Sequence, residues 1–289
     1  MKIDVRICTS YWHVSGMTTI IMKIVVLFTE VNSAKDLITA SIDAAGGNSG
    51  VILGLFLKRK SQPKPFSQGI SFRERSVSED MPFIAEITSW AIETCAAAGM
   101  SFVSIYEKEI SLSQLTSLAT YNDLVIADAR IDFNDYLQTS LSASLKDMLV
   151  DAHAPILLLR AEREPLSKII FTYDGSYSSM HAIKMYSYLF PASRNVPVLL
   201  LSVNASRDDQ AGNQKLLDEW LAHHYGNVEK ETLQQHAKEK LLEIVNRFTG
   251  NTHVVISAYG KEAYARIFHP SHVHLLLKFS NASLFVSHE

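Results

Sequence analysis

Thr252-His-Val-Val-Ile-Ser-Ala-Tyr-Gly260, then a loop carrying Lys261 and Arg266, then Pro270-Ser271 and an apolar run ending in Ala282–Val286, is the stretch that decides the fold. It reads as a short apolar strand, a glycine turn, a loop, a helix start and a second short strand. A buried strand, a turn that lets backbone approach a ligand, and a helix N-terminus behind it make a phosphate-handling corner of an α/β sheet. An earlier segment, Asn122 to Arg160, has the same order of parts without the glycine.

Working outward, Met22–Thr29 is a continuous apolar run rich in β-branched residues, the pattern of a strand buried on both faces. A helix is expected over Ser33–Ala45, with Ser33 as its cap and Gly46-Gly47 as its stop. Gly50–Leu57 reads as a second buried strand. Residues 58–80 then form a basic, proline-punctuated stretch, expected to be a solvated connector. From Met81 the helical period returns, with Ile84, Ile87, Ala91, Cys95 and Ala98 on one face, so Cys95 is expected inside as a structural thiol. Phe102–Tyr106, Leu124–Ala127 and Ile156–Leu159 read as strands, Ser111–Thr120 as a short helix, and Leu137, Leu141, Leu145 and Met148 mark another helix.

After the charged segment Arg160–Ser167, Lys168-Ile-Ile-Phe-Thr-Tyr-Asp174 repeats the pattern of Lys23-Ile-Val-Val-Leu-Phe-Thr29. The parts recur: helix Ser178–Phe190, strand Val196–Val203, helix Gln214–Tyr225, a polar edge strand Val228–Leu233, and a helix His236–Phe248 with Leu241, Val245 and Phe248 inward. Alternating strands and helices call for a mostly parallel sheet with helices on both faces, here duplicated within one chain.

Composition agrees. With 289 residues, 47% of them hydrophobic, the chain can build one large or two ordinary cores. A net charge of −3 lacks the basic footprint of a nucleic-acid binder. Cys8 and Cys95 stand too far apart for a disulfide framework or a paired metal site, which suits a reducing compartment. No apolar run reaches the ~20 residues that span a bilayer. Residues 1–21 show no ordered signal-peptide pattern and are expected to be a loosely held extension ahead of a cytoplasmic protein.

Asp174-Gly175-Ser176, the corner Ser257–Ser271, and Asp123-Leu-Val-Ile-Ala with Ala154-Pro155-Ile-Leu-Leu-Leu-Arg160 together resemble the universal stress protein family in a tandem form. The family's phosphate pattern is Gly, two residues, Gly, nine residues, Gly, then Ser or Thr. Here it stands as Ser257, Ala-Tyr, Gly260, nine residues, Pro270, Ser271: the spacing is kept and two glycines are replaced. The resemblance implies an α/β fold of two doubly wound domains, 22–161 and 166–289, each a five-stranded parallel sheet of order 3-2-1-4-5. It also implies an adenine nucleotide such as ATP, with magnesium only as its companion, in the crevice where the winding reverses. In similar proteins the positions of Tyr173, Asp174 and Val203 lie around the base. Those of Ile256, Ser257 and Gly260, with Pro270, Ser271 and His272 at the last helix start, form the phosphate side.

The residues weigh both ways. Gly260 permits positive φ and close backbone approach. Ser271 can cap a helix or hold an anion with the same hydroxyl. Pro270 deletes one N–H donor, and Ser257 adds a side chain on the phosphate path. In the first copy Thr29 stands where Asp174 stands, and Ala127 and Arg130 stand where Ser257 and Gly260 stand, so no binding is expected there.

His253, His269, His272 and His274 read as polar loop and helix-end histidines rather than metal ligands, and a pH-sensitive surface is an intermediate reading. No nucleophile elbow, Walker or dinucleotide motif occurs, and no catalytic set is expected. Two functions lead from sequence: a stress-response protein with a weak regulatory nucleotide in its C-terminal half, and a scaffold of the same fold that acts through protein partners; a third, a slow ATP hydrolase, has no base or metal-binding carboxylate dedicated to it. In similar proteins the last strands pair across a two-fold axis. Pro155–Leu159 and Ala282–Val286 are therefore expected to meet within one molecule as a pseudo-dimer, with room for a further homodimer.

Overall fold

The computed structural model describes residues 22–28, 31–57, 77–107, 112–129, 154–160, 165–203, 210–233, 237–248, 251–257, 276–277 and 279–287. The first half runs β1 (Met22–Phe28), α1 (Val31–Ala45), β2 (Gly50–Leu57), α2 (Val77–Ala97), β3 (Met100–Glu107), α3 (Leu112–Thr120), β4 (Leu124–Asp128) and β5 (Ile156–Leu159). The second runs β6 (Lys168–Tyr173), α4 (Tyr177–Leu189), a 3-10 turn (Pro191–Asn195), β7 (Val198–Val203), α5 (Gln210–His224), β8 (Val228–Leu233), α6 (Ala237–Val245), β9 (Thr252–Ser257) and β10 (Ser283–Ser287).

All ten strands join one sheet in the order β3-β2-β1-β4-β5-β10-β9-β6-β7-β8. Each half is parallel within itself and has the order 3-2-1-4-5. The halves meet where β5 and β10 pair antiparallel, Leu158 opposite Leu284 and Ile156 opposite Val286. The expected two sheets are thus halves of one sheet. A fifth strand would otherwise present open N–H and C=O groups, and each fifth strand closes the other's edge.

Strands β1, β4, β5, β6, β9 and β10 are buried almost throughout, as their unbroken apolar runs require. The outermost strand β8 is largely open to solvent, with Glu229, Lys230 and Glu231 along it, which blunts the edge against further pairing. Helices α1, α2, α4 and α5 cover one face, over a core with Phe28, Phe171, Tyr186 and Phe285 at its centre. Helices α3 and α6 cover the other, through Leu115, Ala119, Leu241 and Ile244. Cys95 is buried on α2 as expected, and burial pushes its thiol up to about 11. In β2, Gly54 leaves room for aromatic packing: a Cβ there would lie 2.5 Å from the Phe102 ring and 2.7 Å from Phe28.

Three local expectations change. Helix α1 starts at Val31, so Ser33 is not its cap but a buried residue of its first turn. Helix α2 starts at Val77, inside the stretch expected to be loop, and has Pro82 within it. The third is His253, which lies on β9 and is buried, not in a polar loop. The helix marked by Leu137–Met148, residues 1–21 and residues 58–76 lie outside the described residues. Among the described residues no helix is long and apolar enough to cross a membrane.

Candidate functional site

The sheet opens in one place in the C-terminal half. β6 and β9 are paired from Lys168–Thr252 to Phe171–Val255, and there the ladder stops, two residues before either strand ends. On its other side β6 stays paired to its last residue, Tyr173 opposite Ser202, and β9 stays paired to Ser257 opposite Ser287. The parting is therefore local to the strands between which the winding reverses. A crevice at the carboxyl ends of such strands is where open α/β sheets take ligands.

Thr172 bridges the root of this crevice, its Oγ1 donating to the Val255 carbonyl at 2.8 Å. Beyond it, Tyr173 and Asp174 end one strand while Ile256 and Ser257 end the other, all four buried. Burial, and secondarily the nearby Asp174 carboxylate, raises the Tyr173 phenol above its usual range. Val203 ends β7, the strand beside β6.

The turn after Asp174 is built by Gly175 and Ser176. Gly175 has φ +85°, a conformation that glycine adopts without strain. It lets the chain double back so that Asp174 Oδ1 accepts from the Ser176 N–H at 3.0 Å and from the Ser176 hydroxyl at 2.6 Å. Ser176 is also the N-cap of α4, its Oγ accepting from the Ser179 N–H at 3.1 Å. The carboxylate is thereby held at the helix entrance, where the helix dipole favours a negative charge. Among the described residues Oδ2 takes no hydrogen bond that would occupy it. The sequence signal for this cap was Asp-Gly-Ser itself, which the helix start placed at Ser178 overlooked.

Tyr173, Asp174, Ile256 and Ser257 are thus brought to one crevice. Ile256 contributes backbone only, because its side chain belongs to the core beneath α3 and α6. Gly260, Pro270, Ser271 and His272 lie outside the described residues, as do Lys261, Arg266, His269 and His274. In the first half, β1 and β4 stay paired as far as Leu27 and Ala127, leaving a shorter opening. Thr29 and Arg130 lie outside the described residues there.

His253 was missed as an interior group. Its Nδ1 lies 2.9 Å from Tyr186 Oη, within an aromatic cluster of Tyr186, Phe190 and Phe285. Burial alone pushes its imidazole down to about 4, so it is neutral at physiological pH. Its position inside the run Thr-His-Val-Val-Ile-Ser was the available signal.

No protein-family model matches the sequence, and no curated protein matches it. Solved structures do match over nearly the whole chain. A universal stress protein from Archaeoglobus fulgidus superposes with a TM-score of 0.62 at 11% identity, covering 92% of this chain and 96% of that one. A putative universal stress protein from Pseudomonas aeruginosa gives a TM-score of 0.54 at 13% identity, over 93% and 94% of the two chains. The cytoplasmic domain of a prokaryotic cation chloride cotransporter gives 0.53 at 11%, over 92% and 95%. Identities this low speak to architecture alone, and the architecture is plain: this chain has the fold of a tandem universal stress protein.

Proposed function

We propose that the chain is a cytoplasmic stress-response protein of two domains, 22–161 and 166–289, whose C-terminal domain takes an adenine nucleotide such as ATP as a weak regulatory ligand. The observation that carries this reading is the parting of β6 from β9 after Phe171 and Val255, with Asp174 at the opening. The adenine side fits: Asp174 is fixed by Ser176 and keeps Oδ2 for an incoming N–H donor, beside the buried Tyr173 ring. The phosphate side rests on Gly260 and Ser271, with Pro270 removing one donor. Binding is the role assigned, without catalysis.

A second reading is a scaffold of the same fold, acting through protein partners. The serine at 257 favours it, since its buried side chain narrows the path that a phosphate chain would follow. Native purification followed by denaturation and analysis of released nucleotide, together with calorimetric titration of ATP, separates the two. Asp174→Ala and Gly260→Val are expected each to abolish binding. No released nucleotide and no heat at millimolar ATP would leave the scaffold.

A further inference from the structure

A cavity of about 890 Å³ lies away from that crevice, over the seam between the halves. Its origin is topological. On this face α4 reaches the fifth strand of its own half, with Tyr186 and Phe190 against Phe285 of β10, whereas α1 lies over β1 and β4. Among the described residues, the seam between α1 and α4 has no helix of its own on that face.

The two sides of the seam are filled unequally. Aligning Lys23 with Lys168 sets Ser41 against Tyr186 and Ala45 against Phe190, and the buried positions of α1 and α4 then coincide except at Ile42/Ser187 and Ala44/Leu189. The strand registers set Leu124 against His253 and Leu157 against Phe285. The second half thus packs Tyr186, Phe190, His253 and Phe285 into a cluster where the first has a serine, an alanine and two leucines. The missing volume on the first side becomes cavity, floored by Leu157 and Leu159 and walled by Phe190 and His253. The end of α1 closes in beside it: at Gly46 (φ +57°) a Cβ would lie 2.8 Å from Pro191 Cγ of the second half.

The polar lining indicates what fits. His253 is neutral, and Tyr186 occupies its Nδ1, which leaves Nε2 as the ring nitrogen that a ligand can meet. Ser193 Oγ donates to the Phe190 carbonyl at 2.6 Å. Asp43 stands at the rim with its side chain open to solvent, and partial desolvation there raises its carboxyl above the usual range. Lys35 also lines the space, but its ammonium sits 5.4 Å over the Trp90 ring, set against an aromatic face on the α2 side.

We propose that this seam cavity is a second ligand site, for a small aromatic amine carrying a positive charge. Its ring lies on Leu157, Leu159 and Phe190 beside the neutral His253, and Asp43 balances its charge. The site uses residues of both halves, so a ligand there stabilises their pairing by mass action.

The test titrates the full chain with proflavine, an aromatic diamine cation, and with the anionic dye 8-anilinonaphthalene-1-sulfonate, each followed by fluorescence. Saturable one-to-one binding of proflavine that ATP does not displace is expected, with no saturable binding of the anion. Asp43→Asn should weaken proflavine about fivefold, the scale of one partly solvated charge pair. Ala40→Trp, which fills the space from α1, should abolish it while thermal unfolding stays cooperative. Preference for the anion, displacement by ATP, or unchanged binding in folded Ala40→Trp would each overturn the proposal. Loss of ATP binding elsewhere would not touch it, because the two sites share no residue.

Discussion

Replacing His253 with leucine, the residue at the matching position of the first half, tests the reading of the seam core. His253 titrates near 4 when folded, against about 6.5 in an unfolded chain. Between those values the unfolded state binds more protons, so His253 contributes its full stability above about pH 6.5 and loses it as the pH falls towards 4. With these two values the loss between pH 7 and pH 5 comes to about 2 kcal/mol. Urea unfolding at pH 7 and pH 5 measures it. Wild type should lose about 2 kcal/mol more than His253→Leu over that interval. At pH 7 the leucine variant should itself be less stable by about 1–3 kcal/mol, because Tyr186 Oη loses its imidazole partner. The double variant Tyr186→Phe/His253→Leu removes that orphan and should keep the flat pH response. Equal pH slopes in wild type and both variants would show that His253 is not buried as described.

Two further expectations follow from the same geometry. Ser176→Ala removes the cap of α4 and the hydroxyl hydrogen bond to Asp174 while keeping the backbone one, and should cost about 1 kcal/mol in urea unfolding. Separating the halves, 22–161 from 166–289, exposes the β5 and β10 edges that pair in the whole chain. Each half is expected to associate in sedimentation, and halves that stay monomeric and never bind each other would count against an internal pseudo-dimer.

The elements were legible because their signals are local. Val25, Val26 and Leu27, or Val254 and Val255, announce buried strands by runs that no amphipathic helix would carry. The recurrence of Lys23–Thr29 in Lys168–Asp174 disclosed the duplication, and Ile87, Ala91 and Cys95 set the inner face of α2. The failures were at boundaries and at polar residues within apolar runs. Ser33 has the chemistry of a cap, yet the helix begins two residues earlier. His253 stands in a strand buried on both faces, where no polar–apolar alternation tells an inside position from an outside one. At the candidate site the sequence found Asp174 but not its fixation, because the bonds from Ser176 depend on the turn at Gly175.

By itself the sequence determined the alternation of strands and helices, the doubling of the unit and the acid that ends β6, since each is written in residues near one another along the chain. The tertiary structure decided that ten strands form one sheet, that β6 and β9 part while their outer neighbours stay paired, and that unequal side chains leave a cavity over the seam. Those outcomes set Gly46 against Pro191 and Leu158 against Leu284, residues more than a hundred positions apart. Their packing depends on volumes and hydrogen bonds that meet only after the chain has folded, and no local period encodes them.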